Sequence, residues 1–351
     1  MNRREASRRI SLVGRRHTME LLAVLLAGIG VGVGLGALVL GHGAPSTSHL
    51  AVSRAHTHPA RTHGRLPAPA TAGAQPGREA FDEPSGDATD PVLDADAQAS
   101  FGRLESRLAG HLELTVAPLG AGAAETLGGD MPAHGWSTTK VPVLAALLEA
   151  REETLTSEER TWAESAITES SNQAVLDLFH DLERLEGGLA GASSYVQDLL
   201  RKSGDQATVV ATAAPPAGAA TTFGQTEWTP SNAVKFFSAL ARGCLLARAG
   251  TDYILGLMQN IEPSESWGLG AAGFASVAFK GGWGPEPSGA YLVRQAGIVD
   301  VGSPSAAAVA IVAFSPAGPD SFEAGTRMVT EGATWLREHL RMAPRTSVEC
   351  A

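Results

Sequence analysis

Ser137 and Lys140 lie three residues apart in the run Ser137-Thr138-Thr139-Lys140, a spacing that puts both on one face of a helix. A lysine desolvated near a helix start can shed its proton and activate a serine hydroxyl as a nucleophile. Serine and lysine fall at this spacing by chance in many proteins, so the pair means little alone. The rarity of lysine gives it weight. The chain has four lysines among its 27 basic residues, and Lys140 and Lys280 are two of them. Arginine stays protonated and cannot act as a base, so lysine at these positions in an arginine-preferring sequence asks for a chemical reason. Two further clusters stand out: the polar triplet Ser170-Ser171-Asn172, and Gly281-Gly282-Trp283 directly after Lys280. The bland alternative is that Ser137 is an ordinary helix cap and both lysines are solvated.

The surrounding elements decide whether these groups can meet. Helical pattern begins at 104–108 and is followed by an alternating strand over 111–117, a Gly-rich turn, and a short strand over 125–127. Ser137 opens a strongly apolar helix to residue 150, with Pro142 early enough for its missing N–H to cost little. Thr156 and Glu159 read as a capping box for a helix to about 168, and helix resumes over 173–182 after the break at Ser170-Ser171-Asn172. A helix over 194–202 ends at Gly204, and 211–224 is a long Gly- and Pro-bearing loop. Thr229-Pro230 reads as cap and first residue of a helix to about 244, and another covers 252–261. Strands over 274–280, 290–299 and 307–314, joined by short turns, predict an antiparallel meander, and an amphipathic helix over 325–340 covers one face. The fold class expected is α/β, an antiparallel sheet from both termini of the domain flanked by helices, with an inserted helical lobe.

In the order Ser137-x-x-Lys140, Ser170-x-Asn172, Lys280-Gly281-Gly282, the chain resembles the penicillin-recognising serine hydrolases, the family of serine β-lactamases and penicillin-binding proteins. That family's signature is S-x-x-K, S-x-N and K-S/T-G, and the resemblance spans roughly 99–344. It implies a β-lactamase/transpeptidase-like fold. It further implies Ser137 as acyl nucleophile, Lys140 as its base, Ser170 as proton relay to the leaving group, and Lys280 as positive potential beside Ser170. Asn172 would hold a substrate amide, and the oxyanion hole on the Gly282-Trp283 strand would use the backbone N–H groups of Ser137 and Trp283. No cofactor or metal is implied.

Two departures qualify what the resemblance implies. Gly281 stands where the family carries a hydroxyl that helps bind a substrate carboxylate; Arg294, on the next strand with the parity of Ala290, is a candidate replacement cation or a surface arginine. The loop over 211–224 has no glutamate where class A β-lactamases activate the deacylating water, and Glu227, the nearest acid, reads as helix-start charge. Two functions follow as expectations. One is a serine hydrolase or acyltransferase on a peptidoglycan-peptide-like or β-lactam-like amide or ester of the cell envelope. The other is a weak or inactive relative retained as an envelope-binding module.

Around this domain the sequence changes character. Residues 1–18 read as a cytoplasmic tail and 19–41 as a transmembrane signal anchor: Leu21 to Leu40 carries no charge and is long enough to cross a hydrocarbon core of about 30 Å. Arg3, Arg4, Arg8, Arg9, Arg15 and Arg16 precede it and Arg54 is the next arginine after it, so the N-terminus is expected in the cytoplasm and the domain outside. Gly28, Gly32 and Gly36 recur at four-residue spacing and would permit a homodimer through this helix. Residues 42–98 read as a Pro/Ala/Ser-rich linker, whose five histidines from His42 to His63 lack thiol or carboxylate partners and are expected to be solvated rather than metal-bound. The folded domain is then 99–345, with a tail over 346–351. A net charge of -10, with no basic run beyond residue 16, argues against nucleic acid as a partner. The two cysteines offer neither metal-ligand spacing nor a disulfide framework, and are expected as a buried thiol at Cys244 and a loose tail thiol at Cys350.

Overall fold

The structure is a computed structural model that describes residues 91–341 and 349–350. The expected anchor, its homodimer and most of the linker lie outside the described residues. Among the described residues no helix is long and apolar enough to cross a membrane.

One five-stranded antiparallel sheet runs in the order β2-β1-β5-β4-β3. Its strands are β1 (His111–Pro118), β2 (Glu125–Leu127), β3 (Val277–Pro285), β4 (Ala290–Val299) and β5 (Ala307–Pro316). The C-terminal meander predicted from short turns is present, and β1 from the N-terminal side pairs with β5 along its whole length, from His111 opposite Phe314 to Pro118 opposite Ala307. The sheet is covered on both faces, which is why β5 is apolar at nearly every position instead of alternating. Ala307, Val309, Ile311 and Ala313 face α1 (Ala97–Glu105) and α8 (Ser321–His339), in one core with Phe101, Met328, Val329 and Leu336. Ala308 and Ala310 face the opposite way, into the core of the helical lobe.

That lobe comprises α2 (Lys140–Ala150), α3 (Ser157–Thr168), α4 (Asn172–Glu186), α5 (Leu189–Lys202), α6 (Pro230–Ala241) and α7 (Arg248–Gln259). Every residue of α2 from Lys140 to Leu148 is buried. A helix apolar on all sides belongs at the centre of a core, and α2 accordingly packs against α4, α5 and α7. The capping box is present in both halves: the Thr156 hydroxyl accepts from the Glu159 N–H at 3.1 Å, and the Glu159 carboxylate accepts from the Thr156 N–H at 2.7 Å. Thr229 caps α6 with Pro230 at its first position, and Ser171 caps α4.

Several boundaries differ from the sequence reading. The folded body begins before 99: Val92 and Leu93 are buried, and Leu93 pairs with Leu340 across an isolated β-bridge. Helix α1 starts at Ala97 rather than near 104, since Ala97 and Phe101 supply the earlier turns of its buried stripe. Strand β3 continues past Lys280 through Gly281 and Gly282, whose lack of side chains hid the strand pattern. The cysteines are also corrected: Cys244 and Cys350 form a disulfide with a Cα–Cα separation of 5.3 Å. The pairing brings the chain's end back to the segment after α6, and 106 residues of separation left no local sign of it.

Candidate functional site

Ser137 lies not in regular helix but in a 3-10 turn, Trp136–Thr139, that leads into α2. Trp136 enters the turn at a φ of 45°, in the left-handed region that a bulky residue adopts at a cost of about 1–3 kcal/mol. One long-range and one local bond hold it there: the Trp136 indole donates to the Glu286 carboxylate at 3.1 Å, and the Thr139 hydroxyl donates to the Trp136 carbonyl at 2.6 Å. Strand β3, an edge strand of the sheet, runs directly against the turn. A Cβ on Gly282 would lie 2.8 Å from the Ser137 nitrogen, and one on Gly284 would lie 2.2 Å from the Trp136 ring. Glycine at these two positions is what lets β3 approach so closely.

Lys140 and Lys280 approach from two elements and converge on Ser170. The Lys280 amine donates to Ser170 Oγ at 2.8 Å, and the Lys140 amine donates to the same hydroxyl at 3.3 Å and to the Ser170 carbonyl. Both lysines are buried. Ser170 sits between α3 and α4 at a φ of 58°, a second non-glycine residue held in the left-handed region, and this conformation accompanies its carbonyl and hydroxyl both reaching the amines. Burial pushes the Lys140 amine down to about 7; the nearby Lys280 charge pushes the same way and Glu265 opposes both. Burial also lowers Lys280, against the pull of Glu265.

Ser137, Ser170 and Asn172 line a single cleft of about 310 Å³, together with Trp136, Trp283 and Tyr291 on its aromatic side. Loop residues Gly218, Ala220 and Thr221 close another side. None of them is acidic, so no carboxylate from the 211–224 loop enters the cleft. The Ser137 hydroxyl and the Asn172 side chain make no hydrogen bond among the described residues, whereas the Ser170 hydroxyl accepts from both amines. Glu227 is exposed and pairs through its backbone with His134, outside the cleft.

Arg294 is the site residue that the structure places elsewhere. It is neither a surface residue nor a cation facing ligand. Its guanidinium is buried, donating to the carbonyls of Trp228, His134 and Ala133 at 3.0, 3.2 and 3.4 Å, and lies over the Trp228 ring. Burial lowers it to about 10, partly offset by Glu286 and Glu113. Its place in the strand put it on the expected face, but that face is sealed at this point by the segment preceding Trp136.

Sequence reasoning missed Glu265. It lies in a short 3-10 turn, Pro263–Glu265, lines the cleft, and accepts from the Lys280 amine at 3.2 Å. An acid 15 residues before a lysine carries no spacing signal, and only the folded chain pairs them. The sequence also gave no sign of what lies over Gly281. A Cβ there would come within 3.1 Å of the Trp267 ring, which occupies the space beside the strand.

No protein-family model matches the chain, and no curated protein matches it by sequence. Solved structures do. PBP-A superposes with a TM-score of 0.53 at 21% identity, over 71% of this chain and 98% of its own. A β-lactamase from Chitinophaga pinensis gives a TM-score of 0.54 at 18% identity, over 69% of this chain and 99% of its own. A third, the extended-spectrum β-lactamase TLA-1, gives 0.52 at 15% identity, over 69% of this chain and 98% of its own. A mutant of PBP-A solved as an acyl-enzyme complex with penicillin G matches at 20% identity and a TM-score of 0.53. At these identities the likeness is one of fold: this chain has the β-lactamase/transpeptidase fold of class A β-lactamases and PBP-A, carried by a divergent sequence.

Proposed function

We propose that this chain is an extracytoplasmic serine acyl-enzyme hydrolase or acyltransferase acting on an amide or ester of the cell envelope. The observation that carries the reading is the convergence of two buried lysines on Ser170 in the cleft that Ser137 lines. An amine lowered to about 7 is neutral in a large fraction of molecules at neutral pH. A neutral amine has two N–H groups and one lone pair. The two bonds that Lys140 makes are to the Ser170 carbonyl and hydroxyl, which leaves the lone pair to take a proton.

In this mechanism Lys140 accepts the Ser137 proton as Oγ adds to the substrate carbonyl carbon. Backbone N–H groups of Ser137 and Trp283 hold the oxyanion that forms. Ser170 passes its proton to the leaving nitrogen or oxygen as the carbonyl–leaving-group bond breaks, and is reprotonated from the lysine pair. Asn172, with no partner for its amide among the described residues, binds the acyl side chain. Water or an acceptor amine then releases the acyl group. With no acid from the 211–224 loop in the cleft, hydrolysis of the acyl-enzyme is expected to be slow, which favours acyl transfer or a poor β-lactamase over an efficient one. A mutant of PBP-A, which shares the fold, has been solved as an acyl-enzyme complex with penicillin G. Two features support an exported domain: the arginine asymmetry about residues 19–41, and the Cys244–Cys350 disulfide, a bond that persists in oxidising compartments.

The test is labelling with a fluorophosphonate and with a fluorescent penicillin, in wild type and Ser137→Ala. Label on the wild type that disappears in the variant supports the reading; no label from either probe on folded wild type removes it. One observation favours the envelope-binding module as the second reading: Ser137's hydroxyl receives no hydrogen bond from Lys140, whose amine is turned to Ser170. Folded wild type that stays unlabelled yet binds peptidoglycan fragments would establish that reading instead.

A further inference from the structure

The three donors of the Lys280 ammonium all have partners inside the protein: Ser170 Oγ at 2.8 Å, Glu265 Oε2 at 3.2 Å and the Gly281 carbonyl at 3.3 Å. No donor is left for an incoming anion. The Glu265 side chain is only 15% exposed, so water screens its charge weakly, and it lines the cleft beside Ser170 and Ser137. Among the described residues, no arginine, lysine or histidine lines the cleft, and the nearby Arg294 is buried against carbonyls. Of the described residues that line the cleft, Glu265 alone carries a formal charge, and it is paired to the Lys280 ammonium behind the wall.

The carboxylate at 265 and the missing side chain at 281 are parts of one arrangement. The segment that carries Glu265 continues into Trp267, whose ring lies against Gly281. That segment is pinned: Gln295 donates to the Trp267 carbonyl at 2.9 Å and accepts from the Leu269 N–H at 2.7 Å, and Thr330 accepts from the Gly268 N–H at 2.9 Å. A hydroxyl-bearing residue at 281 would press on Trp267, and with it on the turn that holds Glu265 against Lys280. The Glu265 carboxylate thus takes one of the three donors of the Lys280 ammonium.

We infer that Glu265 sets the substrate class of this cleft to acyl donors without a carboxylate near the scissile bond, neutral or cationic amides or esters such as an amidated peptide. A ligand carboxylate would have to displace Glu265 or stand beside it, and like charges so placed disfavour binding. The aromatic side formed by Trp136, Trp283 and Tyr291 suits a flat or apolar portion of such a donor. The inference deepens the reading of Ser137 as an acyl nucleophile, and binding tests it separately from chemistry.

The test uses a matched pair of thioesters, phenylacetylglycyl-mercaptoacetate and its primary amide. Attack by Ser137 Oγ forms the acyl ester, breaks the C–S bond and releases a thiol that takes up the proton. Wild type is expected to favour the amide in kcat/KM by about tenfold or more. Glu265→Gln should lower that preference by about tenfold, and Glu265→Asp should keep it. In parallel, calorimetry on Ser137→Ala and on Ser137→Ala/Glu265→Gln reads the same preference as a ratio of Kd values, with thermal melts confirming that each variant is folded. Cleavage of both thioesters with a preference that Glu265→Gln leaves within about twofold overturns the inference and leaves the nucleophile standing. Preferential amide binding that Glu265→Gln abolishes, without cleavage of either thioester, sustains the inference and removes the catalytic reading. Neither binding nor cleavage of either compound overturns both.

Discussion

The pH dependence of Ser137 acylation tests the base most directly. With an amine lowered to about 7, Lys140 is neutral in about one molecule in eleven at pH 6, about half at pH 7 and about ten in eleven at pH 8. The rate of labelling by excess fluorophosphonate should therefore rise about tenfold between pH 6 and pH 8 and then level off. An unshifted lysine, neutral in about one molecule in 2,500 at pH 7, would give a rate still climbing log-linearly at pH 9. Burial is the main cause of the shift and the Lys280 charge the second, so Lys280→Met should move the inflection to higher pH while leaving it below that of free lysine. Lys140→Arg, which keeps the charge and cannot accept the proton, should slow labelling by about 10²–10⁴-fold. The measurement is single-turnover labelling followed by gel fluorescence, with Ser137→Ala as the blank. A profile flat from pH 6 to 9, or a Lys140→Arg variant that labels at the wild-type rate, would refute the assignment of Lys140 as base.

Three other outcomes are expected. Because the folded Lys140 amine titrates near 7 and the unfolded one near 10.4, the unfolded chain binds more protons between those values and stability rises with pH across that window. Lys140→Met should accordingly raise stability in urea melts by about 2–4 kcal/mol at pH 6 and by less at pH 9; a loss at both pH values would mean that the amine's bonds to Ser170 outweigh its burial cost. Gly282→Ala places a Cβ 2.8 Å from the Ser137 nitrogen, and should cut fluorophosphonate labelling about a hundredfold by displacing the turn, at a stability cost of about 1–3 kcal/mol. Reducing the Cys244–Cys350 disulfide, which closes a separation of 106 residues, should lower stability by about 2–4 kcal/mol without abolishing labelling, since neither cysteine lines the cleft.

Local physics made much of this protein legible before its fold was known. The capping box at Thr156 and Glu159, the Thr229-Pro230 helix start and the three-strand meander are each written within a few neighbouring residues, and each is present. Lysine's rarity marked Lys140 and Lys280 because the choice between lysine and arginine is a chemical one that composition records. Sequence spacing could not say that both amines would meet on Ser170, since 30 residues separate Ser170 from Lys140 and 110 separate it from Lys280. Nor could it find Glu265, seal Arg294 behind the segment before Trp136, or join Cys244 to Cys350. Each of these depends on where the folded sheet brings distant segments together, and on which faces are then shut off from water. Burial and long-range approach are properties of the packed chain, and they decide a lysine's protonation, an arginine's partners and the charge that a substrate would meet.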